Sequence, residues 1–194
     1  MKLNKSFQYG VIALGGNLPS VVGMPADTLT KAILTLGQSG LVIRAVSRFF
    51  ETPCFPAGAG PDYVNAAISF VSDKKPDDVL QLLHTVEAEF GRERVQRWGM
   101  RTLDLDLIVY GNSVLPDRET YQKWHVLPIG KQSKVAPTEL VLPHPRLQDR
   151  AFVLVPMADI AGPWKHPILG VTIDQLLGEL APQDVQAVKP ILAS

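Results

Sequence analysis

Apolar residues recur along this chain with two spacings, and each spacing predicts a type of element. Tyr9 to Leu14 is a short apolar run closed by Gly15-Gly16-Asn17, a buried strand entering a tight turn. Leu29, Ile33 and Leu36 share one helical face, and Gly37 or Gly40 is positioned to end that helix. Leu41 to Phe50 is β-branched and aromatic, as a strand is, and the proline- and glycine-bearing stretch Glu51 to Asp62 must be a loop. Tyr63 to Val71 reads as another strand. Pro76 opens a second helix with the stripe Val79, Leu82, Leu83, Val86 and Phe90, and Gly91 stops it. Arg92 to Arg101 is polar and irregular, and Thr102 to Tyr110 is a further long strand. The proline-bearing stretch from Gly111 to Pro145 shows little periodicity and is expected to be a loop. Phe152 to Ala161 predicts a helix interrupted or started near Pro156, and Thr172 with Gln175 predicts a capping box for a short last helix.

Strand, helix, strand, strand, helix, strand, then a loop-rich tail is the order of a ferredoxin-like split βαβ sandwich. The expected class is α+β, an antiparallel sheet with helices packed on one face and a loop-rich C-terminal extension. At 194 residues the chain suits a single domain, 1–194, with an excursion at 116–139. Nineteen basic residues balance nineteen acidic ones, which disfavours a nucleic-acid or membrane-surface protein, since both use a net basic field. No apolar stretch approaches the ~20 residues of a membrane span, and no signal peptide is read at the start. Cys54 is the only cysteine, so a reducing, cytoplasmic setting is expected, and its loop lacks the basic neighbours of an activated thiol.

The strongest chemical signal is Leu103-Asp104-Leu105-Asp106-Leu107-Ile108-Val109. Strand alternation puts Asp104 and Asp106 on one face, about 6.6 Å apart along the chain. Carboxylates that close repel, and a divalent cation neutralises them best; hard oxygen ligands suit Mg²⁺, and metal pairs about 3.5–4 Å apart serve phosphate transfer. The bland alternative is a solvated acidic face. Arg92, Arg94, Arg97 and Arg101, with Trp98 among them, crowd the loop before that strand, and guanidinium forks suit a metal-bound polyphosphate. Any one of these arginines could equally balance Glu87, Glu89 and Glu93. Tyr63 and Asn65 share a strand face, and an amide beside a ring suits a flat heterocycle, although a core-edge tyrosine would look the same. His144 and His166, each before a proline, read more readily as structural hydrogen-bonders.

Taken in order, Leu14-Gly15-Gly16-Asn17-Leu18, Glu51-Thr52-Pro53, Pro61-Asp62-Tyr63-Val64-Asn65-Ala66-Ala67, Arg97-Trp98-Gly99-Met100-Arg101-Thr102-Leu103-Asp104-Leu105-Asp106 and Leu142-Pro143-His144-Pro145-Arg146 resemble the successive signatures of the folate-pathway pterin pyrophosphokinases. The resemblance runs from about Tyr9 to about Leu177. It implies transfer of the terminal diphosphate of ATP to 6-hydroxymethyl-7,8-dihydropterin, with two Mg²⁺ ions held by Asp104 and Asp106. It implies that Arg92 and Arg101 contact the phosphates. Glu87, Arg94, Arg97, Trp98, His144 and Arg150 would complete the ATP site. It places the pterin between Tyr63 and Phe152, bonded by Asn65 and by groups near Thr52, Pro53 and Phe55. Met100 stands where the family has proline, Gly16 where it often has serine, and Pro116–Glu139 is longer than the family pattern. If that excursion is an external loop it should be dispensable, against which stand Trp124 and Tyr121, large apolar groups expected to dock somewhere. A monomer acting on small molecules is expected, though nothing in the sequence fixes the oligomeric state. Two rivals remain: an RNA-binding module on the same fold, which would place aromatic rings where the aspartates are, and another Asp-x-Asp transferase acting on a sugar nucleotide.

Overall fold

The computed structural model describes residues 7–54, 58, 60–91, 100–128, 131 and 135–192. Its centre is an antiparallel sheet with β1 (Gln8–Gly16) between β5 (Asp104–Tyr110) and β4 (Tyr63–Ser72). The other edge of β4 is shared by β2 (Val42–Val46) and β3 (Phe50–Thr52), and a short β6 (Lys189–Pro190) adds to β3. Taking β2 and β3 as one interrupted strand, this is the ferredoxin-like strand order. The interruption has a local cause. The Ser47 hydroxyl accepts the Ala67 N–H at 2.8 Å, and Arg48 N–H leaves the sheet for the Asp159 carboxylate at 3.1 Å. A continuous strand from Leu41 to Phe50, as the pattern suggests, would need both backbone groups in the ladder.

Helices α1 (Pro25–Gln38) and α2 (Pro76–Glu89) cover one face of the sheet. Proline at the first turn and a side chain returning to the preceding N–H, Asp27 to Met24 at 3.0 Å, start α1 as such sequences should. Leu29, Ala32 and Leu36 of α1 and Val79, Leu83 and Val86 of α2 meet Ile12, Leu14, Ile68, Phe70, Leu105 and Leu107 in one buried cluster. Contrary to the one-faced arrangement expected, the other face is covered as well. Helices α4 (Ala151–Ala161) and α5 (Ile173–Glu179) bury Val153, Leu154, Met157, Ile173 and Leu176 against Val11, Ala67 and Ile108. Pro156 does not break α4. It removes one hydrogen bond, toward the Phe152 carbonyl, and burial of its apolar neighbours offsets that loss. Thr172 and Gln175 form the expected capping box, at 3.2 and 2.8 Å.

The excursion holds a helix that periodicity did not announce, α3 (Arg118–His125), capped by Asp117, whose carboxylate accepts Thr120 N–H at 2.8 Å. A short turn, α6 (Pro182–Gln186), leads to β6. No helix among the described residues is long and apolar enough to cross a membrane.

Candidate active site

Alternation along β5 sends Leu105 and Leu107 into the cluster under α1 and α2 and leaves Asp104 and Asp106 on the face shared with α4. The same alternation on β4 brings Tyr63 and Asn65 to that face. Asp104 lies beside Gly15 of β1, which in turn pairs with Asn65, so the acidic and amide residues are neighbours across one strand. Gly15 serves this approach: a Cβ there would stand 2.9 Å from the Asn65 amide oxygen. These residues line one cavity of about 760 Å³, near the upper end of the range for ligand cavities. Thr52, Pro53, Arg101, His144, Arg150 and Phe152 line it too.

Charge in the cavity is paired across it. The Arg101 guanidinium meets the Asp104 carboxylate at 2.6 Å, and Arg150 approaches Asp106 at 3.8 Å. Both carboxylates keep access to solvent, with side chains 25 % and 41 % exposed. Arg150 also lies over the Phe152 ring, 5.6 Å from its centroid. Buried Asn65, 5 % exposed, donates to the Thr52 hydroxyl at 2.7 Å, which fixes the amide and leaves its oxygen as the acceptor beside Gly15. Burial pushes the Tyr63 phenol above its ordinary pKa, with Arg101 pulling it down and Asp104 pushing it up. Burial, then the nearby Arg150 and Arg146, hold the His144 imidazole well below its usual pKa. Its Nδ1 accepts Arg146 N–H at 3.2 Å, so the neutral ring carries its proton on Nε2 as a donor.

Three placements differ from expectation or were missed. Glu87, expected at the nucleotide, does not line the cavity: it is 2 % exposed and its Oε1 accepts Leu105 N–H at 2.7 Å. A buried carboxylate one turn from the end of α2 therefore holds the backbone between the two aspartates. The excursion, dispensable only if external, supplies Trp124 and Val135 to Glu139 to the cavity wall, because buried Tyr121 docks α3 onto the body. Asn17, read only as part of a turn, is 3 % exposed and ties three loops together. Its amide donates to the Pro61 carbonyl at 3.1 Å and accepts Arg101 N–H at 2.8 Å, while its own N–H donates to the Arg101 carbonyl at 2.9 Å. Its signals in the sequence were polarity directly after a glycine turn and its place in the Leu14-Gly15-Gly16-Asn17-Leu18 signature. Gly16 is forced by the same approach, since a Cβ there would lie 2.5 Å from the Thr102 carbonyl. His166 is buried against Tyr121 and Trp164, in the structural role expected of it. Phe55, Arg92, Arg94, Arg97 and Trp98 lie outside the described residues.

A ferredoxin-like sheet whose face carries two carboxylates beside two arginines defines the class of protein to compare. Residues 11–162 match the family model described as 7,8-dihydro-6-hydroxymethylpterin-pyrophosphokinase. A Synechocystis 2-amino-4-hydroxy-6-hydroxymethyldihydropteridine pyrophosphokinase is 37 % identical over 182 residues, covering 93 % of this chain and 79 % of the relative. The Haemophilus influenzae protein of the same name is 35 % identical over 77 % of this chain and 79 % of its own length. Among solved structures, the wild-type Plasmodium falciparum HPPK-DHPS crystal structure with SDX-DHP shares the fold, with a TM-score of 0.58 at 15 % identity. The match covers 89 % of this chain and 43 % of that one, so the present chain spans under half of the crystallised protein. The chain belongs to the 7,8-dihydro-6-hydroxymethylpterin-pyrophosphokinase family.

Proposed function

We propose that the chain transfers the terminal diphosphate of ATP to the hydroxymethyl oxygen of 6-hydroxymethyl-7,8-dihydropterin, giving AMP and the pterin diphosphate in folate biosynthesis, with Mg²⁺ as the metal. One observation carries this reading: the pair Asp104 and Asp106 and the pair Tyr63 and Asn65 open into one continuous cavity. A heterocycle against the second pair has its substituent directed along the sheet face toward the first.

The donor set fits a hard cation. Two carboxylates reach the cavity from one strand face, and among the described residues no third Asp, Glu, His or Cys lies close enough to form a metal-holding group with them. Phosphate and water oxygens would complete the shell, as Mg²⁺ commonly takes few protein ligands. Asp104 and Asp106 would hold the metal, which when bound neutralises phosphate charge and favours ionisation of the attacking hydroxyl.

Every other task falls to the chain itself. The Tyr63 and Phe152 rings flank the pterin, and the Asn65 oxygen accepts from its amino–amide edge while Thr52 holds the side chain still. Arg101 and Arg150 exchange aspartate for phosphate oxygens, keeping each guanidinium charge paired before and after binding. His144 donates from Nε2 to a phosphate oxygen without adding a proton that could be lost. Attack in line on the β-phosphorus forms the new P–O bond and breaks the bond to the AMP oxygen, which takes away that bonding pair. Such a transfer depends on positioning and charge more than on a protein nucleophile. Arg92, Arg94, Arg97 and Trp98 belong to this reading as loop contacts to ATP, Phe55 as a backbone contact to the pterin, and a cytoplasmic monomer accompanies it.

Product analysis tests the proposal. Protein, ATP, Mg²⁺ and the hydroxymethyl pterin should yield one AMP per pterin diphosphate formed and negligible ADP. Stoichiometric ADP would indicate attack at the γ-phosphorus and overturn the assignment. Release of inorganic pyrophosphate would indicate attack at the α-phosphorus and do the same.

A further inference from the structure

The cavity is not confined to the face that carries the aspartates. Leu107 lines it as well, and alternation points Leu107 to the opposite face from Asp104 and Asp106. A single space touching both faces of β5 must pass around the free edge of that strand, and β5 is the outermost strand of the sheet. Leu80 and His84 of α2 line the part beyond the edge with Leu107. Trp124 of α3 and the segment from Val135 to Val141 line the same cavity, and that segment leads to His144, whose N–H meets the Ile108 carbonyl at the free edge of β5. The site therefore has a face lobe, holding Tyr63, Asn65 and Phe152, and an edge lobe, with the aspartates between them.

We propose that Trp124 is a nucleotide-binding residue that stacks on the base in the edge lobe. The inference rests on the reading of ATP as co-substrate. With the pterin in the face lobe and the phosphates at the aspartates, the nucleoside has only the edge lobe to enter. An indole is suited to a planar base: it offers a large apolar face in a cavity that Leu80 and Leu107 also line, and stacking tolerates the ring's substituents.

The helix that carries Trp124 is anchored, which a ring on a loose surface loop would not be. Tyr121, three residues earlier, is fully buried, and its hydroxyl lies 3.0 Å from Nε2 of the buried His166. His166 Nδ1 accepts from Ile168 and Leu169 N–H, at 3.1 and 3.2 Å, so Nε2 bears the proton and donates to Tyr121. The Tyr121 ring also stacks on His125 one turn later, with centroids 5.5 Å apart. Residues three apart on a helix are neighbours on its surface, so locking Tyr121 fixes the direction of Trp124.

The test compares ligands that share phosphates but differ in the base. Binding of the α,β-methylene analogue of ATP and of inorganic tripolyphosphate, each with Mg²⁺, is measured by calorimetry on wild-type protein, Trp124→Ala and Trp124→Phe. The expected result is a loss of about ten-fold for the ATP analogue in Trp124→Ala, partial recovery in Trp124→Phe, and unchanged affinity for tripolyphosphate and for the pterin in both. Equal losses for the ATP analogue and tripolyphosphate would show a general disturbance and overturn the base contact. Unchanged ATP-analogue affinity in Trp124→Ala would overturn it too, while leaving the ATP reading intact. Failure of the wild-type protein to bind the ATP analogue would instead remove the ATP reading on which the inference stands.

Discussion

Replacing Asn17 by alanine isolates the knot that positions Arg101. The variant keeps the backbone bonds from Asn17 and Leu18 to the Arg101 carbonyl, at 2.9 and 3.0 Å, and deletes both side-chain bonds. Arg101 N–H and the Pro61 carbonyl then lose their partner at a part-buried junction, where water can replace part of each bond. Each net hydrogen bond is worth about 1 kcal/mol, so loss of the two should lower the unfolding free energy by about 1–2 kcal/mol. Arg101 contacts Asp104 directly, so the damage should reach the reaction: kcat/KM should drop at least ten-fold for both substrates. Asn17→Asp retains the acceptor for Arg101 N–H but sets a carboxylate oxygen against the Pro61 carbonyl, and should therefore fall between the two. Urea titration gives the first quantity and steady-state kinetics the second. A full loss of stability with unchanged kcat/KM would show that the knot does not position Arg101. No change in either would refute the reasoning.

Asp106→Asn, which keeps shape and removes charge, should abolish turnover while thermal unfolding stays close to wild type; near-normal turnover would exclude Asp106 from metal binding. Asn65→Ala should weaken pterin binding by about 1–3 kcal/mol with little effect on the ATP analogue, because in the proposed reading the lost acceptor serves the heterocycle; calorimetry showing equal losses would make Asn65 a support for the whole cavity. Acid stability should report His166, which burial holds neutral with a pKa lowered from 6.5 to about 4. Between those values the unfolded chain takes up a proton that the folded one refuses, so stability is intact above about pH 6.5 and declines as pH falls toward 4. The shift sets a ceiling of about 3 kcal/mol, and screening in a partly open neighbourhood reduces it to about 2. His166→Gln should flatten that part of the pH profile, and an unchanged slope would place the titration elsewhere, with His144 as the next candidate.

The parts of the fold legible in the sequence were those where one physical rule acts alone. The stripe of α2 and the alternation of β5 each follow from burying one face, so Asp104 with Asp106, and Tyr63 with Asn65, could each be assigned to one strand face, while the meeting of the two pairs was implied only by the family resemblance. The break between β2 and β3 was not legible, because it depends on Ser47 and Asp159 intercepting backbone groups from elsewhere in the chain. Helix α3 escaped notice because Tyr121 is its one buried residue, and its burial depends on His166, far along the chain. Glu87 depends on a distant partner in the same way: the resemblance implied a nucleotide contact, and only the passage of Leu105 N–H beneath its carboxylate explains its burial.

The edge position of β5 explains why the cavity is there at all. An exposed edge strand offers unpaired N–H and C=O groups that invite another strand, and proteins cover or interrupt such edges. Here the groups on the free edge are satisfied one at a time. Leu105 N–H goes to the Glu87 carboxylate, and the Ile108 carbonyl accepts His144 N–H at 2.8 Å. Neither partner belongs to a continuous neighbouring strand, so the sheet ends at β5 with these two edge groups paired, and the space a further strand would fill stays open. The carboxylates at 104 and 106 flank the first of these bonds, while the segment carrying His144 leaves β5 beyond the second and runs along the cavity as its wall. A Glu87→Gln variant keeps an acceptor for Leu105 N–H and should leave this edge intact. Glu87→Ala removes it and should lower both stability and Mg²⁺-dependent turnover, since the strand that holds Asp104 and Asp106 would lose its outer support. Equal turnover in the two variants would mean that β1 alone fixes the position of the aspartates.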